Sequence, residues 1–201
     1  SYYKALDNLR IILKALSRQS CMDFEVIVSE DDNNPETTEY IRNAQSEYIF
    51  PIIHLNQEVK NGFKKSYMLN KAITSCNAEK IAFIDGDCVP HKNFAKEYLK
   101  HIDTKSFCIG RAVMLDKKIT EKVKTEQSLS SLNLLHLLFS NSRKIKDGIY
   151  FPLFPLTIKV KKMVGRNWGC CKKSILRING FDQDYIYAGV SEDTDIEWRL
   201  I

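Results

Sequence analysis

The chain has 201 residues, 44% hydrophobic and 27% charged, and its 30 Lys and Arg outweigh 25 Asp and Glu to give a net charge of +5. That length can enclose the core of one compact domain, or of one domain with a small appendage, and the composition excludes a disordered chain. The longest apolar stretches, 132–139 and 149–156, are broken by His136, Pro152 and Pro155 and fall well short of the ~20 residues a spanning helix needs.

Residues 5–18 place Leu6, Leu9, Ile12, Leu13 and Leu16 on one stripe and predict a helix. Residues 24–29 (FEVIVS) read as a buried strand that ends in Glu30-Asp31-Asp32. Asn34-Pro35 then starts a helix, with proline at the first position, where its missing donor does no harm. A short strand is expected at 52–55, a turn at Asn61-Gly62, and a helix over 64–75. The apolar strand 81–84 (IAFI) is closed abruptly by Asp85-Gly86-Asp87. A helix over 92–102 and a strand over 107–115 follow.

Strands alternating with helices through short connections predict an α/β fold, a Rossmann-like, mostly parallel open sheet with helices on both faces. The alternation is lost over 117–164, which holds one apolar helix candidate at 129–139 and an aromatic, proline-bearing loop at 150–156. Residues 166–201 place a Gly-rich aromatic turn region between a strand and a terminal helix. A wound sheet opens on a strand, yet here a helix comes first. Ser1-Tyr2-Tyr3 is therefore expected to be the tail of a first strand whose body lies upstream. Lys4, Asp7 and Arg10 leave no signal-like start.

The basic runs at 143–146 and 159–162 read as a solvated face. With no basic stripe interleaved with aromatics, nucleic acid is not expected as a partner. Peripheral contact with an anionic membrane surface stays open. The six cysteines show no C-x-x-C pair; Cys76, Cys88 and Cys108, with apolar neighbours, read as small buried hydrophobes, and a reducing, cytoplasmic compartment is expected.

In open α/β sheets, ligands bind beyond the carboxyl ends of the strands. Asp85 and Asp87, two apart on extended backbone, face one side, and Gly86 between them lets a ligand approach the main chain. Such paired carboxylates suit a hard cation, Mn²⁺ or Mg²⁺, bridging to phosphate oxygens. Glu192-Asp193-Thr194-Asp195 either starts the terminal helix with favourable charge or supplies a general base.

Several segments, taken in order, resemble family 2-type glycosyltransferases of the GT-A fold. They are 1–19, 24–32 (FEVIVSEDD), 81–90 (IAFIDGDCVP) and the C-terminal set Asn167-Trp168-Gly169, 178–182 (INGFD), 192–196 (EDTDI) and Arg199-Leu200. The last set is similar to galactosyltransferase-like and chondroitin-polymerase-like enzymes. The resemblance implies a metal-dependent, inverting transfer from a nucleotide-sugar, most often UDP-linked, to a saccharide or lipid-linked saccharide in surface polysaccharide synthesis. It implies that Ser1 and Tyr3 border the nucleoside and that Asp31 accepts a hydrogen bond from the base. Lys64, or its neighbour Lys65, would lie near the diphosphate. Asp85 would face the ribose or the metal's water shell, and Asp87 would ligate the metal. Asp193 would be the catalytic base, with Glu192 assisting or binding acceptor. The family's Gly-Trp-Gly-Gly is replaced by 187–191 (YAGVS), so Tyr187, Trp168 and Gly169 stand in as acceptor contacts. Residues 1–115 would form the nucleotide-sugar half and 116–201 the acceptor half, in the cytoplasm or against the inner face of the membrane. Two alternatives remain: a haloacid-dehalogenase-like phosphatase with Asp85 as nucleophile, and a catalytically silent nucleotide- or sugar-binding domain.

Overall fold

A computed structural model of the chain describes residues 1–150, 163–187, 189 and 192–201. Helix α1 (Leu6–Leu16) buries Leu9, Ile12, Leu13 and Leu16, the stripe expected of it, against strands β1 (Val26–Ser29) and β2 (Ile52–Leu55). The strands pair in parallel, Val26 opposite Ile52 and Ser29 opposite Leu55. Helix α2 (Pro35–Glu47) connects them and begins where expected. The Asn34 side chain accepts the Glu36 N–H at 2.8 Å, and Pro35 takes the first position. Its Ile41 and Ala44 close this first core.

Helix α3 (Lys65–Ser75) leads into β3 (Lys80–Ile84), and α4 (Phe94–His101) into β4 (Cys108–Ile109). The strand expected near the C-terminus, β5 (Asn167–Cys171), inserts between β3 and β4 and runs antiparallel to both. Among the described residues the parallel ladder is thus confined to the first half. Trp168 of β5, 1% exposed, stacks on Phe83 at 4.5 Å and packs with Phe181, Ile175 and Ile196 into a second core.

Residues 1 and 2 join the two sheets. Tyr2 bridges Glu30 in parallel, its N–H donating to Ser29 O and its carbonyl accepting from Asp31 N, both at 2.9 Å. Ser1 N donates to Ile84 O at 2.7 Å. A Cβ on Gly86 would meet Ser1 O at 2.9 Å and Tyr2 Cα at 3.3 Å. The glycine between the two acids is therefore required by the chain's own packing, and not only by ligand access.

Two expectations need correction. The strand foreseen at 107–115 shrinks to β4, because the Asn167 side chain occupies the space beside Gly110 and donates to Arg111 O at 3.1 Å, ending the ladder. The apolar helix foreseen at 129–139 is two pieces, a 3₁₀ turn (Ser130–Leu132) and α6 (Leu134–Leu138). Asn133 divides them by accepting the His136 N–H as a helix cap.

Between β4 and that turn lies a helix the sequence reading passed over, α5 (Lys117–Glu126). Asp116 caps it, accepting the Ile119 N–H at 2.7 Å, and Ile119 and Val123 pack on Ile11 of α1. A 3₁₀ turn (Ile145–Gly148), a short α7 (Lys172–Arg177) and the terminal α8 (Glu192–Leu200) complete the described elements. Beyond Tyr150, the loop expected at 150–156 lies outside the described residues. No described helix is long and apolar enough to cross a membrane.

Candidate active site

The carboxyl end of β3 and the N-terminus of α8 meet across the lead-in to β5. The Asp85 N–H donates to Arg166 O at 3.1 Å, and the neighbouring Gly165 N–H donates to Asp193 Oδ2 at 2.9 Å. Asp85 and Asp193 are thus held on adjacent residues of one segment, although 108 positions separate them in sequence. The second Asp193 oxygen accepts the Thr194 N–H at 2.9 Å, fixing the carboxylate at the helix start.

Lys65 spans the same gap. Its Nζ lies 3.4 Å from Asp85 Oδ1 and 3.0 Å from Glu192 Oε1. Burial disfavours its charge, but the two carboxylates outweigh burial and raise its pKa above the ordinary lysine value. Ser1 Oγ donates to the same Asp85 oxygen at 3.0 Å. Ser1, Lys65, Asp85, Gly165, Glu192 and Asp193 line one small cavity of about 10 Å³, floored by Trp168 and Phe83. Lys64, the lysine first expected here, points elsewhere. Its backbone N–H donates to both Asp31 oxygens, at 2.9 and 3.1 Å, and its Nζ lies 5.9 Å from the centre of the Tyr67 ring.

Asp31 is buried at the end of β1 and also accepts from Gln57 Nε2 at 2.6 Å. Burial raises its pKa against the pull of those donors. Gln57 was not singled out in the sequence, since one glutamine in a loop carries no pattern. Next to Asp31, Asp32 pairs with Lys60 at 3.0 Å and Lys4 at 3.8 Å. Those two lysines flank the half-exposed Tyr3 ring, at 5.2 and 5.3 Å from its centre.

Asp87 is exposed, and among the described residues it meets only the Cys88 thiol, at 3.5 Å. No group of three or more His, Cys, Asp or Glu side chains among the described residues could hold a metal ion. Two neighbouring carboxylates nevertheless fit a hard divalent cation that arrives with a diphosphate, because such ions keep waters and phosphate oxygens as their other ligands. The donor set is oxygen-only. His91 is engaged elsewhere, its Nδ1 accepting the Asn93 N–H at 3.3 Å and its ring lying 5.3 Å from that of Tyr150.

Of the expected acceptor contacts, only Trp168 reaches the cleft, as its floor. Gly169 faces the other side of the sheet, where a Cβ would meet Ile81 O at 2.7 Å and the Tyr98 ring at 2.8 Å. Tyr187 is exposed and makes no hydrogen bond among the described residues.

The placement of α8 depends on two side chains behind the site. Asn70 donates to Phe181 O and accepts from Phe181 N, both at 2.8 Å. Arg199 donates to Ile178 O and Gly180 O, at 2.8 and 2.6 Å, while pairing with Asp195. The loop at 178–181 is thereby clamped between α3 and α8. Arg199 belongs to a quoted motif. Asn70 gave no signal beyond its place on α3.

A family model described as "Glycosyl transferase family 2" matches residues 1–165. Pre-mycofactocin glycosyltransferases from two strains of Mycobacterium tuberculosis are each 24% identical over 132 residues, covering 66% of this chain and 25% of their own length. The fold is shared with a mannosyltransferase, PcManGT from Pyrobaculum calidifontis, solved with GDP-Man and Mn²⁺. The TM-score is 0.62 at 15% identity, over 99% of this chain and 49% of that one. S. aureus TarS 1–349, solved with UDP, gives a TM-score of 0.63 at 13% identity, over 96% of this chain and 52% of that one. The chain therefore spans a quarter of the curated relatives it matches and about half of these solved chains.

Proposed function

This chain belongs to glycosyl transferase family 2, with a fold of the GT-A type, and on that footing we propose that it transfers a sugar from a nucleoside diphosphate, UDP first, to a saccharide hydroxyl with inversion at the anomeric carbon. The observation that supports the reading is that Asp85 and Asp193, attached to the adjacent Arg166 and Gly165, line one cavity, where the reading needs one carboxylate for the donor and one for the acceptor. Family membership sets aside the phosphatase alternative. In that fold class the nucleophilic aspartate lies on the first strand, whereas Asp85 follows β3.

Asp193 takes the proton of the attacking hydroxyl. Its oxygens each accept one backbone N–H and keep further lone pairs free for that proton. Lys65 gives up Asp85 as the diphosphate enters and offsets the charge of the leaving group, while Glu192 keeps its amine oriented. Asp31 holds the base and Tyr3 borders it, with Lys4 and Lys60 drawing the anionic donor to the mouth of the site. Asp85 and Asp87 would hold Mn²⁺ or Mg²⁺, which supplies Lewis-acid stabilisation of the diphosphate as it leaves. Residues 1–115 form the donor half and 116–201 the acceptor half, with a saccharide or lipid-linked saccharide as acceptor and polysaccharide synthesis at the cell surface as the setting. Tyr187, exposed on the surface, stays a proposed acceptor contact.

A thermal-shift screen against UDP, GDP, CDP and dTDP, with and without Mn²⁺, tests the donor class. One nucleotide at a hundred times its dissociation constant is expected to stabilise the chain by about 2.7 kcal/mol, or roughly 5 to 10 °C, only with the metal present. No shift with any nucleotide, or equal shifts without metal, would overturn the reading.

A further inference from the structure

Helix α6 turns its apolar side outward. Leu137 is buried, yet Leu135, Leu138 and Phe139 are 68%, 57% and 91% exposed. Such a cluster on so short a helix is not random scatter of surface residues and marks a contact surface.

The patch is held firmly in place. Asp116 accepts the Asn141 N–H at 2.7 Å, Asp116 N donates to Ser142 Oγ at 3.1 Å, and Met114 bridges Arg143 in antiparallel fashion. Leu135 and Phe139 form one wall of an open groove of about 780 Å³, and Lys117, Lys118 and Lys122 of α5 form the other. Among the described residues the only acid lining this groove is Asp116, and both its oxygens are taken by backbone N–H groups. Lys117 and Lys122 make only long, solvent-screened pairs with Glu121 and Glu126, at 3.8 and 3.9 Å. The exposed Arg143, Lys144 and Lys146 lie a few residues beyond the end of α6. Nothing in this groove lines the cleft around Asp85 and Asp193.

We propose that this face docks the protein on an anionic phospholipid bilayer, with Leu135, Leu138 and Phe139 entering the headgroup boundary and the α5 lysines meeting the lipid phosphates. Apolar side chains beside a wall of lysines are the pattern of an interfacial membrane anchor, in which burial and charge attraction add. A second copy of the chain fits less well, since a two-fold contact would bring the lysines of both copies into one interface whose one lining acid, Asp116, is already engaged.

Co-sedimentation of the full chain with vesicles tests the assignment independently of any transfer activity. Binding is expected to vesicles of equimolar phosphatidylcholine and phosphatidylglycerol, not to pure phosphatidylcholine, and to weaken with salt. Replacing Lys117, Lys118 and Lys122 together by Gln should weaken it about a hundredfold. Leu135→Ser with Phe139→Ser should weaken it tenfold or more (roughly, from the apolar area withdrawn) with an unchanged melting temperature, because both side chains are exposed. Three results would overturn the assignment: no preference for anionic vesicles, binding that survives both sets of changes, or self-association abolished by Phe139→Ser in a chain that ignores vesicles. The last result would make the face a contact between copies.

Discussion

Asp193→Asn is expected to lower the transfer rate by roughly 10²- to 10⁴-fold, the usual worth of a positioned general base, while nucleotide affinity stays at the parent value. The expectation follows from where the carboxylate is held. Its two oxygens accept from Gly165 N and Thr194 N, and neither donor belongs to the strand ends that would grip the donor. Asparagine keeps the shape and one acceptor oxygen, enough to hold the Thr194 N–H at the start of α8 while the Gly165 N–H loses its acceptor, and the amide cannot take a proton from an attacking hydroxyl. Steady-state kinetics beside a nucleotide titration separates the two effects. A loss of binding with turnover intact would move Asp193 to the donor side, and parental turnover would remove it from the chemistry.

The second large effect is expected at Asp87. Changing it to Asn should abolish the metal dependence of nucleotide binding and cost about a hundredfold or more in turnover, comparable with loss of one well-placed electrostatic partner of the transition state. This variant is a clean probe because Asp87 is exposed and touches only Cys88, so the fold should be unmoved to within about 0.5 kcal/mol. Asp85 is a poorer probe. It carries Ser1 and Lys65, and its removal leaves the half-buried Lys65 amine with Glu192 alone. Metal titration of Asp87→Asn against the parent, followed by activity, reads the difference. Unchanged metal dependence would place the cation on other ligands.

Much of the fold of residues 1–115 was legible because its signals are local. The α1 stripe, the Asn34-Pro35 cap and the apolar run ending in Asp85-Gly86-Asp87 each specify an element within a few residues. Helix α5 was equally readable, from Asp116 at its cap and Ile119 and Val123 one turn apart, but its many charges masked the weak stripe. The pairing of β5 between β3 and β4 is non-local, and nothing in the residues 167–171 states which neighbours they choose or in which direction. Neighbouring helix positions point about 100° apart, and lysines on both sides of that step look alike in sequence, so Lys64 was favoured where Lys65 reaches the acids. Trp168 and Gly169 sit on opposite faces of one strand, which the alternation of side chains already required. The pairing of Asp193 with the end of β3 came from resemblance alone, because it runs through the backbone of Gly165 and Arg166, which hydrogen-bond the Asp193 carboxylate and the Asp85 N–H and leave no side-chain pattern in the sequence.

The shared cleft is tested most directly by paramagnetic broadening of backbone amide signals. On titrating Mn²⁺ with the nucleotide that stabilises the chain, the amides of Asp85, Gly86 and Asp87 are expected to vanish first. Those of Gly165 and Thr194 should follow, while the α6 amides remain sharp and Asp87→Asn abolishes the effect. Broadening at 85–87 that leaves Gly165 and Thr194 untouched would contradict a single site joining Asp87 to Asp193.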